Sequence, residues 1–486
     1  MSSEPTGPRG AAPTSLPDEA RVVNVGLPLF AESVRAQGAP VVDVDWRIPA
    51  GGRADLVAAL GRLYGPLSPR VDTANLEVFR RIDGAAPMLV GIGTAQKEVP
   101  GLEDLTVLHA GPPLAWSEFC DPLKRAVRAV VMAEGWATSP EEAERRTRRG
   151  EVHLHPANDY ATVMPMAGAL GPSAPVFVVE LAHSGRRAYS GINQGPGAVP
   201  WFGVERPSAV EHLVWLREVA GPLLADTLRA AGPVDIFSLA AQGIQMGDDV
   251  HMRSQATTNL LIRQLLPFLV ELDDPGALEL ARFLSLDHLF FLNIAMAAAK
   301  ATVDWAATVR DSSVVVAMAR NGTTFGLRLG ATGDTWFTVP APPVSDALYH
   351  PGFGPGDAAP DIGDSAVLEL VGLGGAAAAA SPAVAGFLGG SMDDAVAITK
   401  AMDRLRVGRS SRFKLPALGF SGSPVGIDVR RAVELETTPS ITTGILHARA
   451  GTGQVGAGVA RAPVACFQEA LLALDRKLSQ REARKR

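Results

Sequence analysis

The densest gathering of reactive side chains in the sequence runs over residues 245–253, Gln-Met-Gly-Asp-Asp-Val-His-Met-Arg. Asp248, Asp249 and His251 carry donor atoms suited to a metal. Without a metal, Asp248 or Asp249 can orient the His251 imidazole as a proton carrier while Arg253 holds a phosphate or carboxylate. The same string also reads as a helix N-terminal cap with a surface ion pair, because a small polar run and an apolar helix follow it. A second group is Arg320, Asn321, Gly322, Thr323 and Thr324. At the end of an apolar strand it offers a guanidinium, an amide and two hydroxyls to a carboxylate or phosphate. Asn-Gly between apolar runs is equally a hairpin turn.

Two loops carry weaker signals. Asp357, Asp361 and Asp364 lie in a Gly/Pro-rich stretch and can hold a hard cation through oxygens, or simply shape turns. Residues 451–458, Gly-Thr-Gly-Gln-Val-Gly-Ala-Gly, lack the Lys-Ser/Thr of a Walker loop, so Gly453 and Gly456 stand either for a backbone anion cradle or for close packing. His153 and His155 share one face of a strand, but no third ligand is near in sequence. Cys120 and Cys466 are isolated, which argues against zinc fingers, iron–sulfur clusters and a disulfide framework and fits a reducing cytoplasm. No Gly-x-Gly-x-x-Gly follows the first strand, and no Gly-x-Ser-x-Gly elbow occurs at a strand-to-helix join.

The elements that must position these groups follow from hydrophobic spacing. Residues 1–18 read as a frayed tail. Residues 22–26, 27–37 and 41–44 form a strand–Gly–helix–strand series, continued by a helix over 54–64 and a strand over 88–92. That order predicts a small, doubly wound, Rossmann-like α/β domain over 19–105. A helix-rich domain over 106–310 follows, with helices at 123–134, 140–149, 209–231, 256–272, 277–284 and 287–307 and a buried strand at 174–180. A mixed α/β domain over 311–478 begins with strands at 313–320, 325–329 and 335–339 and ends in a helix at 462–477; residues 479–486 are a charged tail. The fold class is α/β.

Composition limits the function classes. With 486 residues, 47% apolar and 20% charged, the chain buries a sizeable core. Its 45 Lys plus Arg against 51 Asp plus Glu give no general field for nucleic acid or an anionic membrane. The most span-like stretch, residues 371–390, is Ala/Gly-rich with Ser381 and Pro382 inside it, and is expected to pack in a core. A cytoplasmic protein without a membrane segment is expected.

Several spaced strings together resemble one family. They are Val107-Leu108-His109-Ala110-Gly111-Pro112-Pro113, Glu134-Gly135-Trp136-Ala137, Met164-Pro165-Met166-Ala167-Gly168, residues 246–253, Ala317-Met318-Ala319-Arg320-Asn321-Gly322-Thr323, Pro360-Asp361-Ile362-Gly363-Asp364-Ser365 and Gln454-Val455-Gly456-Ala457-Gly458. In order and over nearly the whole chain they resemble the FdrA-associated YlbE/YahG family. Its AllG branch is taken as a subunit of oxamate carbamoyltransferase, which splits oxalurate with phosphate into oxamate and carbamoyl phosphate. The resemblance implies a carbamoyltransferase-like subunit acting on a small ureido or amide acid, with an FdrA-like partner in an oligomer. Phosphate is the co-substrate and no tightly held cofactor is expected. On that chemistry His251, Asp248 and Arg320 are the catalytic candidates. Arg253, Asn321, Thr323, Asn193 and Gln194 would bind substrate, Gly453 and Gly456 would bind phosphate, and no residue is assigned to a metal. The sequence departs from the family where Asn193-Gln194-Gly195 replaces Asn-Glu-Gly, where Met252 and Ser254 replace Asn, and at Asn158-Asp159-Tyr160. The loss of a carboxylate at 194 opens the door to a different substrate. A CoA- or acyl-phosphate-linked ligase subunit and a non-catalytic partner that completes another subunit's site are the alternatives.

Overall fold

A computed structural model describes residues 21–44, 46–387, 390–449 and 451–484. Its contacts divide the chain into two compact units, residues 1–52 and 53–486. In the first, the strands Val22–Val25 and Val41–Val44 pair in parallel, with Val22 opposite Val41, around the helix Pro28–Ala36. Pro28 opens that helix where a missing N–H costs nothing. Asn24 Nδ2 donates to Asp43 Oδ1 at 2.9 Å and ties the strands together.

The expected continuation as a doubly wound sheet is corrected. The helix over 54–64 forms, as Ala54–Tyr64, but the next strand, Pro87–Thr94, is antiparallel to both its neighbours, Pro175–Leu181 and Val234–Asp235. With Arg187–Gly191 these make a four-stranded sheet. Boundaries near 105 and 310 do not appear either, for two physical reasons. That sheet draws its strands from both sides of residue 105, and the last helix, Val464–Ala483, packs back on Ala54–Tyr64, where Arg62 Nη2 donates to the buried Asp475 at 2.7 Å. This helix also runs into the expected charged tail. The expected N-terminal tail, residues 1–18, lies outside the described residues.

Within residues 53–486, Thr106–His109 pairs in parallel with His153–Pro156 and antiparallel with Ala169–Leu170. The hairpin Val315–Asn321 and Thr324–Leu329 turns at Gly322, as Asn-Gly predicts, and is flanked by Phe337–Pro340 and Ile362–Gly363. Gln454–Arg461 is the central strand between Val344–Tyr349 and Ser440–Leu446. The helix Phe290–Ala306 lies against Pro175–Leu181 and Arg187–Gly191. Its small residues Ala295, Ala297, Ala298, Ala299 and Ala301 are fully buried, which lets helix and sheet approach closely.

The helix expected over 209–231 is broken by a π-turn at Leu216–Ala220 between Pro207–Trp215 and Gly221–Ala231. Pro222 has no N–H and its ring would strike the carbonyl four residues back, so the ladder widens there. In the stretch 371–390, the 3-10 run Gly374–Ala380 packs against the helix Met392–Asp403, with Ala376, Ala377 and Ala378 fully buried. Among the described residues no single helix is long and apolar enough to cross a membrane.

Candidate functional site

Arg320 sits in a dense polar knot and is fully buried. It donates from Nε and Nη2 to Asp361 at 2.7 and 2.9 Å, and from Nη1 to the Gly363 carbonyl at 2.6 Å. Thr443 Oγ1 donates to Asp361 at 3.1 Å. Asp364, three residues on, accepts the amides of Gly111 at 2.8 Å and Met164 at 2.9 Å, while burial pushes its carboxyl up to about 6. Four of the spaced strings therefore meet here. The bidentate pair with Asp361 uses the charge of Arg320, so the guanidinium does not serve as a free ligand cation.

Asn321 is likewise committed. Its Oδ1 accepts the amides of Thr323 and Thr324 at 3.0 and 2.6 Å, and its Nδ2 donates to the Pro112 carbonyl at 3.1 Å. Thr323 donates to the Glu118 carbonyl at 2.8 Å. The turn reading accounts for both residues. Of the three loop aspartates, Asp357 accepts the Gly354 amide at 2.9 Å, and no cluster of metal-ligating side chains forms among the described residues.

The 245–253 cluster splits into two jobs. Asp248 accepts the amides of Ala256 and Thr257 at 3.2 and 2.8 Å at the head of the helix Gln255–Val270, and pairs with the part-exposed Arg253 at 3.3 Å. Burial raises its carboxyl pKa against these bonds. Capping thus explains Asp248. Asp249 accepts the amides of His251 and Arg253 at 3.2 and 2.8 Å and the hydroxyl of Thr442 at 3.1 Å. This clamp holds Val250 at φ +62°, a strained conformation for a β-branched residue. The strained turn delivers His251 to Glu369, with Nδ1 to Oε1 at 2.8 Å and both side chains buried. Oε1 also accepts the Gly375 amide at 3.1 Å, which leaves Nδ1 as the donor in the His251 bond, while Glu369 Oε2 is buried without a partner.

Through Met252 the cluster reaches a cavity of about 600 Å³. The loop Gly195–Ala198, Met252, the segment Asp287–Leu289, His350, Thr452 and Gln454 line it, so three of the sequence signals reach one space. Sequence reasoning missed Asp287, another of its lining residues. Asp287 was expected to begin a helix, but the helix starts at Phe290 and Asp287 precedes it in a tight turn, accepting the Leu289 amide through Oδ1 at 3.0 Å. Asp287 is 2% exposed and its Oδ2 has no hydrogen-bond partner. Burial pushes its carboxyl up to about 7, and lowers the pKa of the neighbouring His288. Trp201, on the same wall, has a buried Nε1–H that is also unpartnered. The adjacent acid and imidazole at the head of a buried helix were the available signal.

Asn193 and Gln194 position this wall. Asn193 Nδ2 donates to the Leu289 carbonyl at 2.8 Å and Gln194 Oε1 accepts the Trp201 amide at 2.9 Å. Gly453 adjoins the lining residues Thr452 and Gln454. Gly456 is not an anion cradle: it is inside the central strand, opposite Tyr349 and Ile445, and an added Cβ would lie 2.6 Å from the Leu348 carbonyl oxygen.

The described geometry can be set beside known proteins. Residues 152–365 match the family model "Oxamate carbamoyltransferase subunit AllG". The chain is 41% identical to the oxamate carbamoyltransferase subunit AllG of Escherichia coli K12, across 83% of this chain and 97% of that protein. It is 35% identical to the uncharacterized protein YahG of the same organism, across 93% and 96%. A crystal structure of a conserved protein of unknown function from Enterococcus faecalis V583 superposes with a TM-score of 0.81 at 35% identity, covering 83% of this chain and 97% of that one. By identity along nearly the full length of these relatives, the chain belongs to the YahG/AllG family.

Proposed function

We propose that this chain is a subunit of a cytoplasmic carbamoyltransferase-like enzyme that acts, with an FdrA-like partner, on a small ureido or amide acid. The reaction is of the type oxalurate plus phosphate to oxamate plus carbamoyl phosphate. The observation that carries it is the lining of the 600 Å³ cavity, which brings Asp287, its carboxyl pushed up to about 7 by burial, together with Trp201 and two histidines. A carbamoyl group needs a donor at its oxygen and a proton for its departing nitrogen. Trp201 supplies the first. Asp287, half-protonated near neutrality, supplies the second as the phosphate oxygen attacks the carbamoyl carbon and the carbon–nitrogen bond breaks.

His288 and His350 add imidazoles on the same wall. His251 is a positioning residue: it fixes Met252 at the cavity through the bond to Glu369. Asn193 and Gln194 hold the two reactive groups in place. The relationship to AllG supports the substrate class and the need for a partner.

The test is to purify the chain with its FdrA-like partner and assay carbamoyl phosphate formation from oxalurate and phosphate. Asp287→Asn keeps the shape and removes the proton; a fall in kcat of at least about a hundredfold is expected, with assembly unchanged by size-exclusion chromatography. Wild-type rates in that variant would defeat the assignment. Loss of assembly without loss of chemistry would instead identify a non-catalytic partner.

A further inference from the structure

In the first unit the apolar side of the sheet is the side the fold leaves bare. Val23 pairs with Val42 and Val25 with Val44, so the parallel register puts four valines on one face of the two strands. The opposite face belongs to the helix Pro28–Ala36. There Asn24 Nδ2 donates to the Leu27 carbonyl at 3.2 Å, and Asp43 accepts from Arg35 as well as from Asn24. The alternation runs on past the second strand, since Trp46 and Ile48 keep the two-residue spacing of Val42 and Val44. All six of these residues are open, between 39 and 64% exposed.

Two strands alone are marginal in water unless their apolar side is covered, and a contiguous apolar patch marks a contact site. The six residues offer on the order of 600 Å² per copy, so two such faces pressed together remove about 1,200 Å² from water, the lower end of specific interfaces. Charge does not oppose that pairing. The one carboxylate described in the two strands, Asp43, is turned toward Arg35 and away from the valines. A twofold axis therefore brings like against like with no charge to bury.

We propose that this face is where two copies of the chain meet. The bare sheets of their first units stack about 10 Å apart, with the helices outside. The contact stands independently of the carbamoyl chemistry proposed above.

Analytical ultracentrifugation of the full chain from about 1 to about 100 μM tests it, with hydrogen exchange of residues 22–48 followed over the same range. A dimer is expected, with protection of that segment rising as the dimer fills. Val42→Glu should weaken the dimer at least about a hundredfold, because a twofold contact buries the new charge twice. Val42→Thr keeps a β-branched side chain, so the strand still forms, and should weaken the dimer severalfold. Leu29→Glu, exposed on the helix, should leave it unchanged. A monomer throughout the range overturns the inference, as does a dimer that both Val42 variants leave intact or that Leu29→Glu breaks. A monomer whose assembly with the FdrA-like partner is lost in Val42→Glu gives the face to that partner. A monomer protected at every concentration gives it to the chain's own remaining residues. Either of these also overturns the inference.

Discussion

Asp287 gives the cavity a pH signature that can be read without any substrate. Its carboxyl ionises near 7 when folded, against an ordinary 3.8, because burial disfavours the charge. Between those values the folded chain holds a proton that the unfolded chain has released. Stability from this group is therefore fully present below about pH 4 and lost as pH rises through 7. The span is on the order of 4 kcal/mol. Asp364, pushed up to about 6, works in the same direction. Urea unfolding from pH 4 to 8 should show the downward slope, and Asp287→Asn should flatten it. An unaltered slope in the variant would place the titration elsewhere. At this scale the sequence was partly legible. Asp248, His251 and Arg320 stood out because charged residues near glycine attract notice. The pairing of His251 with Glu369 and of Arg320 with Asp361, 118 and 41 positions away, could not be read from it. Asp287 was hidden because it sits beside apolar residues and reads as the first turn of a helix.

Between elements, the recurring strings act as joints. The Gly111 turn, at φ +89°, passes against the end of Val315–Asn321 so closely that a Cβ there would lie 2.5 Å from Asn321 Cβ and 2.7 Å from the Arg320 carbonyl carbon. Gly111→Ala should cost more than about 3 kcal/mol, because it adds backbone strain to a clash that backbone atoms cannot relieve. Gly101→Ala, at φ +76° with nothing within 4 Å, should cost only about 1 kcal/mol. Chemical denaturation of the two variants side by side separates packing from strain; equal losses would contradict the close approach. Helices such as Ala54–Tyr64 were legible from period alone. The π-turn before Gly221 was announced by Gly-Pro, yet periodicity carried through it. Strands Pro87–Thr94 and Pro175–Leu181 were both visible, but their antiparallel pairing was not, since it joins segments almost 90 residues apart, and the short partner Val234–Asp235 lies almost 150 residues downstream.

For the molecule as a whole, alternation of strand and helix near the N-terminus suggested a domain extending to residue 105, whereas contacts close the first unit at Gly52. Residues 53–486 contain their own sheets and a last helix that returns to Ala54–Tyr64. A chain beginning at Arg53 should therefore keep its near-UV circular dichroism and lose no more than about 1 kcal/mol of stability. A collapsed near-UV spectrum would show that the core needs the first unit. The 600 Å³ cavity and a second one of about 820 Å³, lined in part by Lys300, Asp304 and Trp336, belong to this larger unit, at opposite ends of one 17-residue helix about 25 Å long.

The placement of the indoles has an optical consequence. Of the seven tryptophans, Trp201 borders one cavity and Trp336 the other, each with an unsatisfied Nε1–H. Indole emission shifts to the red when that hydrogen finds an acceptor. Each cavity thus carries its own native fluorophore, and a pair of variants, one keeping Trp201 alone and the other Trp336 alone, would report without labels on one chamber each.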